Sequence, residues 1–347
     1  MARIAIVADY VNRRNLRKQR VFRDRQNPLD HLSDAEVLRN YRFTRQTIFL
    51  LTDAFAPDLE HPTRRNYSLS SQLQLLIGLR FFATGAPHHV FAEMFGVERS
   101  TISRVITDVI RVLVSKAADY IVFPTDGDSL RTVKQQFYQL CNIPNVIGAL
   151  DCTHVRLFKA PLKESEPLYV NRKRWHSINT QIICDANYKI TNIVARWPGS
   201  VHDCFIFTSS SIGQMCENAG ENGIGCLPGD RGYYQRPWLM TPYEDPTTVI
   251  QRNYNRAHRR GRVLIEQVNG QLKQKFPCLV YGLRIKPEKA CSVILACAVL
   301  YNISKNCNEP IHDDVPDNEL RNDVEGDNGN DGHGLLHRDM FVNNYFA

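Results

Sequence analysis

Val146-Ile-Gly-Ala-Leu-Asp-Cys-Thr-His-Val155 is a β-branched and apolar run interrupted by one carboxylate, Asp151. Such a run reads as a strand buried in a sheet. A carboxylate inside it is costly unless a cation or hydrogen bonds compensate it. The stretch therefore predicts both a strand and a charge in need of a partner; the alternative is a structural aspartate satisfied near a strand end.

Strand texture continues downstream. Residues 175–184 and 189–197 flank Asp185-Ala-Asn-Tyr188 as hairpin arms flank a turn, and a short strand ends near Leu227. Helices are expected at about 257–276 and 287–305, which makes 145–305 an α/β domain, a mixed sheet flanked by helices. Upstream, over 33–119, apolar residues recur at helical spacing and predict a small all-helical domain, with 120–144 as a connector. Ser70 and Ser71 can cap a helix whose apolar face includes Leu73, Leu76, Ile77 and Phe81, ended by Gly85 and Pro87.

The segment from His89 reads as a short helix, a turn at Gly96 and a second helix from about Ser100, a helix-turn-helix-like pattern. Ile102, Val105, Ile106, Val109 and Ile110 would face inward, leaving Ser100, Arg104, Thr107 and Arg111 outward. Arg99, Arg104 and Arg111 are thus candidate DNA contacts. A plain three-helix bundle with a polar outer face is the alternative.

The chain has 347 residues, 43% hydrophobic and 23% charged, an ordinary globular composition. Its net charge of +7 conceals an asymmetry, because 313–331 holds eight acidic residues against Arg321 and leaves +14 in the residues before it. A body this basic suits a polyanionic partner. Residues 1–32 form a basic arm, with Arg13, Arg14, Arg17, Lys18, Arg20, Arg23 and Arg25, suited to phosphate contact or nuclear import, or simply to solvation. Residues 306–347 read as an acidic, disordered tail. The ten cysteines are scattered without a C-x-x-C pair and read as reduced thiols of a cytosolic or nuclear protein. The first residues lack the pattern of a secretory signal, and the apolar stretch 291–303 falls short of the roughly 20 residues that cross a bilayer.

Two further carboxylates join Asp151. Asp230 follows a strand in Leu227-Pro-Gly-Asp-Arg-Gly-Tyr233, where Gly229 and Gly232 are expected to let the backbone turn sharply, although Gly-Asp-x-Gly is also common turn chemistry. Glu266 sits on a helix with Arg262 four residues before it and Lys273 seven after, on one face; an ordinary surface pair is the alternative. Two strand carboxylates and a helix glutamate make an all-oxygen set suited to Mg²⁺ or Mn²⁺ rather than zinc. A pair of such ions supports in-line attack on phosphorus.

The ordered series Gly148-Ala-Leu-Asp-Cys-Thr-His, Tyr169-Val-Asn-Arg-Lys, His176-Ser-Ile-Asn, Trp197-Pro-Gly-Ser-Val-His-Asp, Leu227-Pro-Gly-Asp-Arg-Gly-Tyr, Trp238-Leu-Met-Thr-Pro, Tyr254-Asn-Arg-Ala-His and Arg262-Val-Leu-Ile-Glu resembles the Harbinger transposase-derived nucleases and their PIF/Harbinger transposase relatives. The resemblance implies an RNase H-like fold with a DDE triad of Asp151, Asp230 and Glu266, separated by 79 and 36 residues. It adds Asp203 as a further metal ligand, with a helix-start aspartate as the alternative. Arg172, Lys173 and Arg262 match basic family positions and are candidate phosphate contacts, as is Lys273. It also implies a Myb-like DNA-binding partner, residence in the nucleus as well as the cytoplasm, and an oligomer on DNA.

The leading expectation is a DNA endonuclease using two divalent ions, as a transposase or a domesticated descendant. The alternatives are a DNA-binding or adaptor protein that has lost cleavage, and a ribonuclease on the same fold.

Overall fold

The computed structural model describes residues 27–60, 68–158, 165–220, 223–311 and 332–347. The basic residues 13–25 and the acidic run 313–331 lie outside them. The first part is helical: α1 (Asp34–Tyr41), α2 (Arg45–Leu59), α3 (Ser71–Thr84), α4 (His88–Phe95), α5 (Arg99–Ser115), α6 (Ala117–Tyr120) and α7 (Gly127–Cys141). Ser70 accepts from the Leu73 amide and Gly85 closes α3 at φ 65°, so the cap and stop legible in the sequence act as written. In α5 the five residues expected to face inward are all buried.

The α/β part follows: β1 (Ala149–Arg156), α8 (Glu166–Tyr169), β2 (Ser177–Cys184), β3 (Ile190–Pro198), α9 (Asp203–Thr208), α10 (Ser211–Ala219), β4 (Leu227–Pro228), β5 (Leu239–Met240), α11 (Val249–Lys275), α12 (Cys278–Tyr281), α13 (Pro287–Asn306) and α14 (Gly332–Phe346). β1, β2 and β3 form an antiparallel sheet, with Asp151 opposite Ile182. Asp185 holds the hairpin turn, its Oδ1 accepting from the amides of Asn187 and Lys189, both at 2.8 Å. β4 and β5 pair in parallel. A parallel bridge between Val146 and Cys226 joins the two sheets edge to edge, giving the order β3-β2-β1-β4-β5.

Alternation along β1 sends Asp151 toward α11 and Cys152 to the opposite face, where Leu150, Ile183, Phe207 and Tyr233 make a separate apolar cluster. The main core is continuous from Leu29 to Val342, so the helical region and the α/β region share it. α13 ties them, packing on both β3 and α5.

One expectation from the sequence needs revision. Residues 332–346 are helix rather than disordered, because Val342 and Arg338 are buried and Phe346 packs edge-on against Tyr254. After β4 the backbone turns, Tyr233 N–H donating to Asp230 O at 3.3 Å, although neither Gly229 nor Gly232 has positive φ. Gly229 instead provides room, since a Cβ there would sit 2.9 Å from the Tyr233 ring. All ten cysteines are free. No helix among the described residues is long and apolar enough to cross a membrane.

Candidate active site

Asp151 is 4% exposed at the middle of β1. Burial, with Asp230 and Glu266 reinforcing it and Arg262 opposing it, pushes its carboxyl up to about 7. Its neighbours come from α11. Asn269 Nδ2 donates to Asp151 Oδ2 at 3.1 Å, and Arg262 Nη2 lies 4.0 Å from Oδ1. The same Nη2 stands 2.9 Å from Glu266 Oε1, whose side chain is about half exposed. Helical spacing puts Arg262, Glu266, Asn269 and Lys273 on one stripe, so a single helix supplies cation, carboxylate, amide and a second cation to one aspartate. Lys273 is buried; desolvation lowers its ammonium to about 8, Asp151 opposes that shift and Lys173 adds to it.

Asp230 is held just after β4, 2% exposed, with Oδ1 accepting from the Gly232 amide at 2.9 Å. Asp203 opens α9, 4% exposed, and its Oδ1 accepts from Asn179 Nδ2 at 2.7 Å. Tyr233, fully buried in the apolar cluster behind β1, has its hydroxyl 3.3 Å from Cys152 Sγ. Burial, then Cys152, Asp203, Asp151 and Asp230 in that order, drive the phenol well above its ordinary range. The sequence reading passed over Tyr233 although it closes the quoted Gly-Asp-Arg-Gly-Tyr motif. It also passed over Asn269 and over His258, which is buried one turn before Arg262 and whose Nε2 pairs with Met240 O at 2.9 Å, fastening α11 to β5.

Arg172 and Lys173 are exposed on the turn that Asn171 and Trp175 close. Arg99, Arg104 and Arg111 are exposed on α5; Arg104 bonds Ser100 O and Arg111 pairs with Asp108 at 3.4 Å. Thr107, on the same face, is bonded by Lys289 of α13.

A sequence model described as DDE superfamily endonuclease matches residues 150–302. Proteins named "Putative nuclease HARBI1" are 37% identical in Bos taurus, over 80% of this chain and 79% of the relative, and 36% identical in Homo sapiens over the same shares. The chain belongs to the Harbinger transposase-derived nuclease family. "Protein ALP1-like" of Arabidopsis thaliana is 24% identical over 72% of this chain and 64% of its own length. No solved structure matches. For this Harbinger-derived member, the match and the relatives' names support a nuclease-type function.

DDE endonuclease domains generally use divalent metals, and the donors here fit such an ion in kind. They are carboxylate oxygens, and two amide oxygens beside them, Asn269 Oδ1 and Asn179 Oδ1, are buried without a hydrogen-bond partner. The set is not preassembled: among the described residues no three His, Cys, Asp or Glu side chains converge as ligands. The cation beside Asp151 and Glu266 is instead the Arg262 guanidinium.

Proposed function

We propose that this chain is a divalent-metal-dependent DNA endonuclease of the DDE type, with Asp151, Asp230 and Glu266 as its catalytic carboxylates. The observation that carries the reading is the desolvated Asp151 carboxyl, raised by its carboxylate neighbours and opposed by Arg262. Asp151, Asp230 and Glu266 would hold the metal, with Asp203 as a further ligand, and Mg²⁺ or Mn²⁺ supplies activation of a water or 3′ hydroxyl and stabilises the leaving oxygen. Arg262, Lys273, Lys173 and Arg172 neutralise and orient the phosphate, Asn269 and the Gly232 amide fix the carboxylates, and Tyr233 excludes water from behind them. The edge-joined five-strand order, with helices on both faces, supports an RNase H-like reading.

The exposed arginines of α5 and its turn at Gly96 support a helix-turn-helix-like DNA contact through Arg99, Arg104 and Arg111. The family resemblance supports a Myb-like partner, a nuclear as well as cytoplasmic location, and a homo-oligomer on DNA. A second reading, a DNA-binding protein without cleavage, draws on one observation: Asp151 and Glu266 face Arg262, and among the described residues no three ligand side chains converge.

The test is incubation of supercoiled plasmid with the full chain and Mg²⁺ or Mn²⁺, with and without a Myb-like protein. Nicking is expected, lost in Asp151→Asn and Asp230→Asn. DNA binding without cleavage under every metal and partner condition replaces this reading with the second. Cleavage confined to RNA–DNA hybrid makes the chain a ribonuclease.

A further inference from the structure

α11 is built against its own helical interest. Its first turn contains no acidic residue and its fourth residue is Arg252, although the positive end of a helix dipole favours carboxylates there. Arg256 and Arg259 follow at spacings of four and three, and like charges so placed repel across the helix surface. All three are exposed. Arg252 bonds the Pro246 and Thr247 carbonyls and Arg256 the Asn253 side chain; among the described residues none of the three pairs with a carboxylate. An exposed helix face laced by salt bridges alternates signs, whereas from Arg252 to Arg259 this one carries positive charge at all three positions.

At 3.6 residues per turn, Arg252, Arg256 and Arg259 lie within about 60° of one another, and Glu266 continues the line two turns beyond Arg259. One turn further the line reaches Gly270, in the interior of the helix. A Cβ at Gly270 would meet nothing within 4 Å. Packing therefore does not require glycine there, while helix propensity disfavours it. An interior glycine left bare beside a candidate catalytic residue suits the close approach of another molecule's backbone.

We propose that the face of α11 bearing the exposed Arg252, Arg256 and Arg259 and the half-buried Gly270 is the track on which the duplex DNA backbone lies as it reaches Glu266. From Arg252 to Arg259 the helix rises about 10 Å, and over that length of duplex axis one DNA strand advances about three phosphates at about 3.4 Å each. Three arginines meet three phosphates. This deepens the nuclease reading and rests on it for the nature of the ligand; it adds a surface separate from Arg262, Lys273, Arg172 and Lys173.

The experiment is fluorescence anisotropy of a short labelled DNA duplex with the full chain in chelator, over a range of salt. Removing three phosphate contacts in the Arg252→Gln, Arg256→Gln, Arg259→Gln triple variant is expected to make the slope of log affinity against log salt shallower by about 2.7. Gly270→Leu is expected to melt no lower than wild type, since leucine favours the helix, yet to bind the duplex at least tenfold more weakly. An unchanged slope, or full affinity in Gly270→Leu, overturns the track while leaving the nuclease reading intact. A wild-type chain that binds no duplex even at low salt overturns both.

Discussion

Arg262 and Glu266 stand one turn apart on the same helix with Nη2 and Oε1 at 2.9 Å, and the same guanidinium lies 4.0 Å from the buried Asp151. An exposed i,i+4 pair contributes a few tenths of a kcal/mol, but here the cation also offsets a desolvated charge. Arg262→Gln removes that offset. In chelator the variant is expected to lose on the order of 3 kcal/mol, and Mn²⁺ is expected to raise its Tm more than that of wild type, as thermal melts with and without metal would show. Equal melting of the two proteins in chelator would refute the role.

Asp151→Asn acts in the opposite direction. The folded-state pKa of about 7 lies above the ordinary 3.8, so protonation favours the folded state. The stability this gives is complete below about pH 4 and is lost as pH rises through about 7. In chelator the variant should therefore melt above wild type at pH 8, by no more than about 4 kcal/mol, and converge with it at acid pH. It should nick no plasmid. A variant less stable than wild type at pH 8 contradicts this electrostatic account.

His258 sets a second pH dependence. Burial, partly countered by the Met240 carbonyl, pushes it down to about 4. The unfolded chain takes up a proton below about pH 6.5 and the folded one only near 4, so stability falls between those values by about 3 kcal/mol. Denaturant melts of wild type and His258→Gln should diverge in sensitivity over that window. Identical slopes against pH would show that His258 does not bear the effect.

Gly229→Ala places a methyl 2.9 Å from the Tyr233 ring and 3.3 Å from Leu239. With no relief from a positive φ at stake, the cost is overpacking, about 1–3 kcal/mol. Because the buried Tyr233 phenol is electrostatically coupled to Asp203, Asp151 and Asp230, metal-dependent nicking should fall further than stability does. The check is nicking at a temperature where the variant remains folded.

The carboxy-terminal helix braces the start of α11. Arg338 lies over the Tyr243 ring at 4.0 Å, Tyr243 Oη donates to Asp339 Oδ1 at 2.6 Å, and Phe346 meets Tyr254 edge-on with ring centroids 5.7 Å apart. A chain ending at Ile311 should be less stable by on the order of 3 kcal/mol, measured by denaturant unfolding. An unchanged midpoint would make α14 an ornament of the surface.

Local order along the chain was legible where local chemistry decides it. β1, the hairpin around Asp185 and the cap and stop of α3 are written in runs, turn residues and capping residues. α11 begins at Val249, earlier than periodicity indicated, because the Thr248–Gln251 capping box starts it, a signal present in the sequence but weaker than the apolar repeat beyond it. α14 was hidden by averaging: an acidic run dominates the composition of 306–347 and masks Leu335, Met340, Phe341 and Val342. In the candidate site, Arg262 and Glu266 follow from helical spacing. Tyr233 meets Cys152 across 81 residues and His258 meets Met240 across a strand-to-helix connection, contacts that no local pattern encodes.

The most direct test of the central claim is the binding of Mn²⁺ to the purified full chain, followed by electron paramagnetic resonance in wild type, Asp230→Asn and Glu266→Gln. Bound Mn²⁺ in wild type, weakened at least tenfold in each variant while their melting stays cooperative, is the predicted result. Mn²⁺ bound equally by all three, or by none, would contradict a metal centre built on these carboxylates.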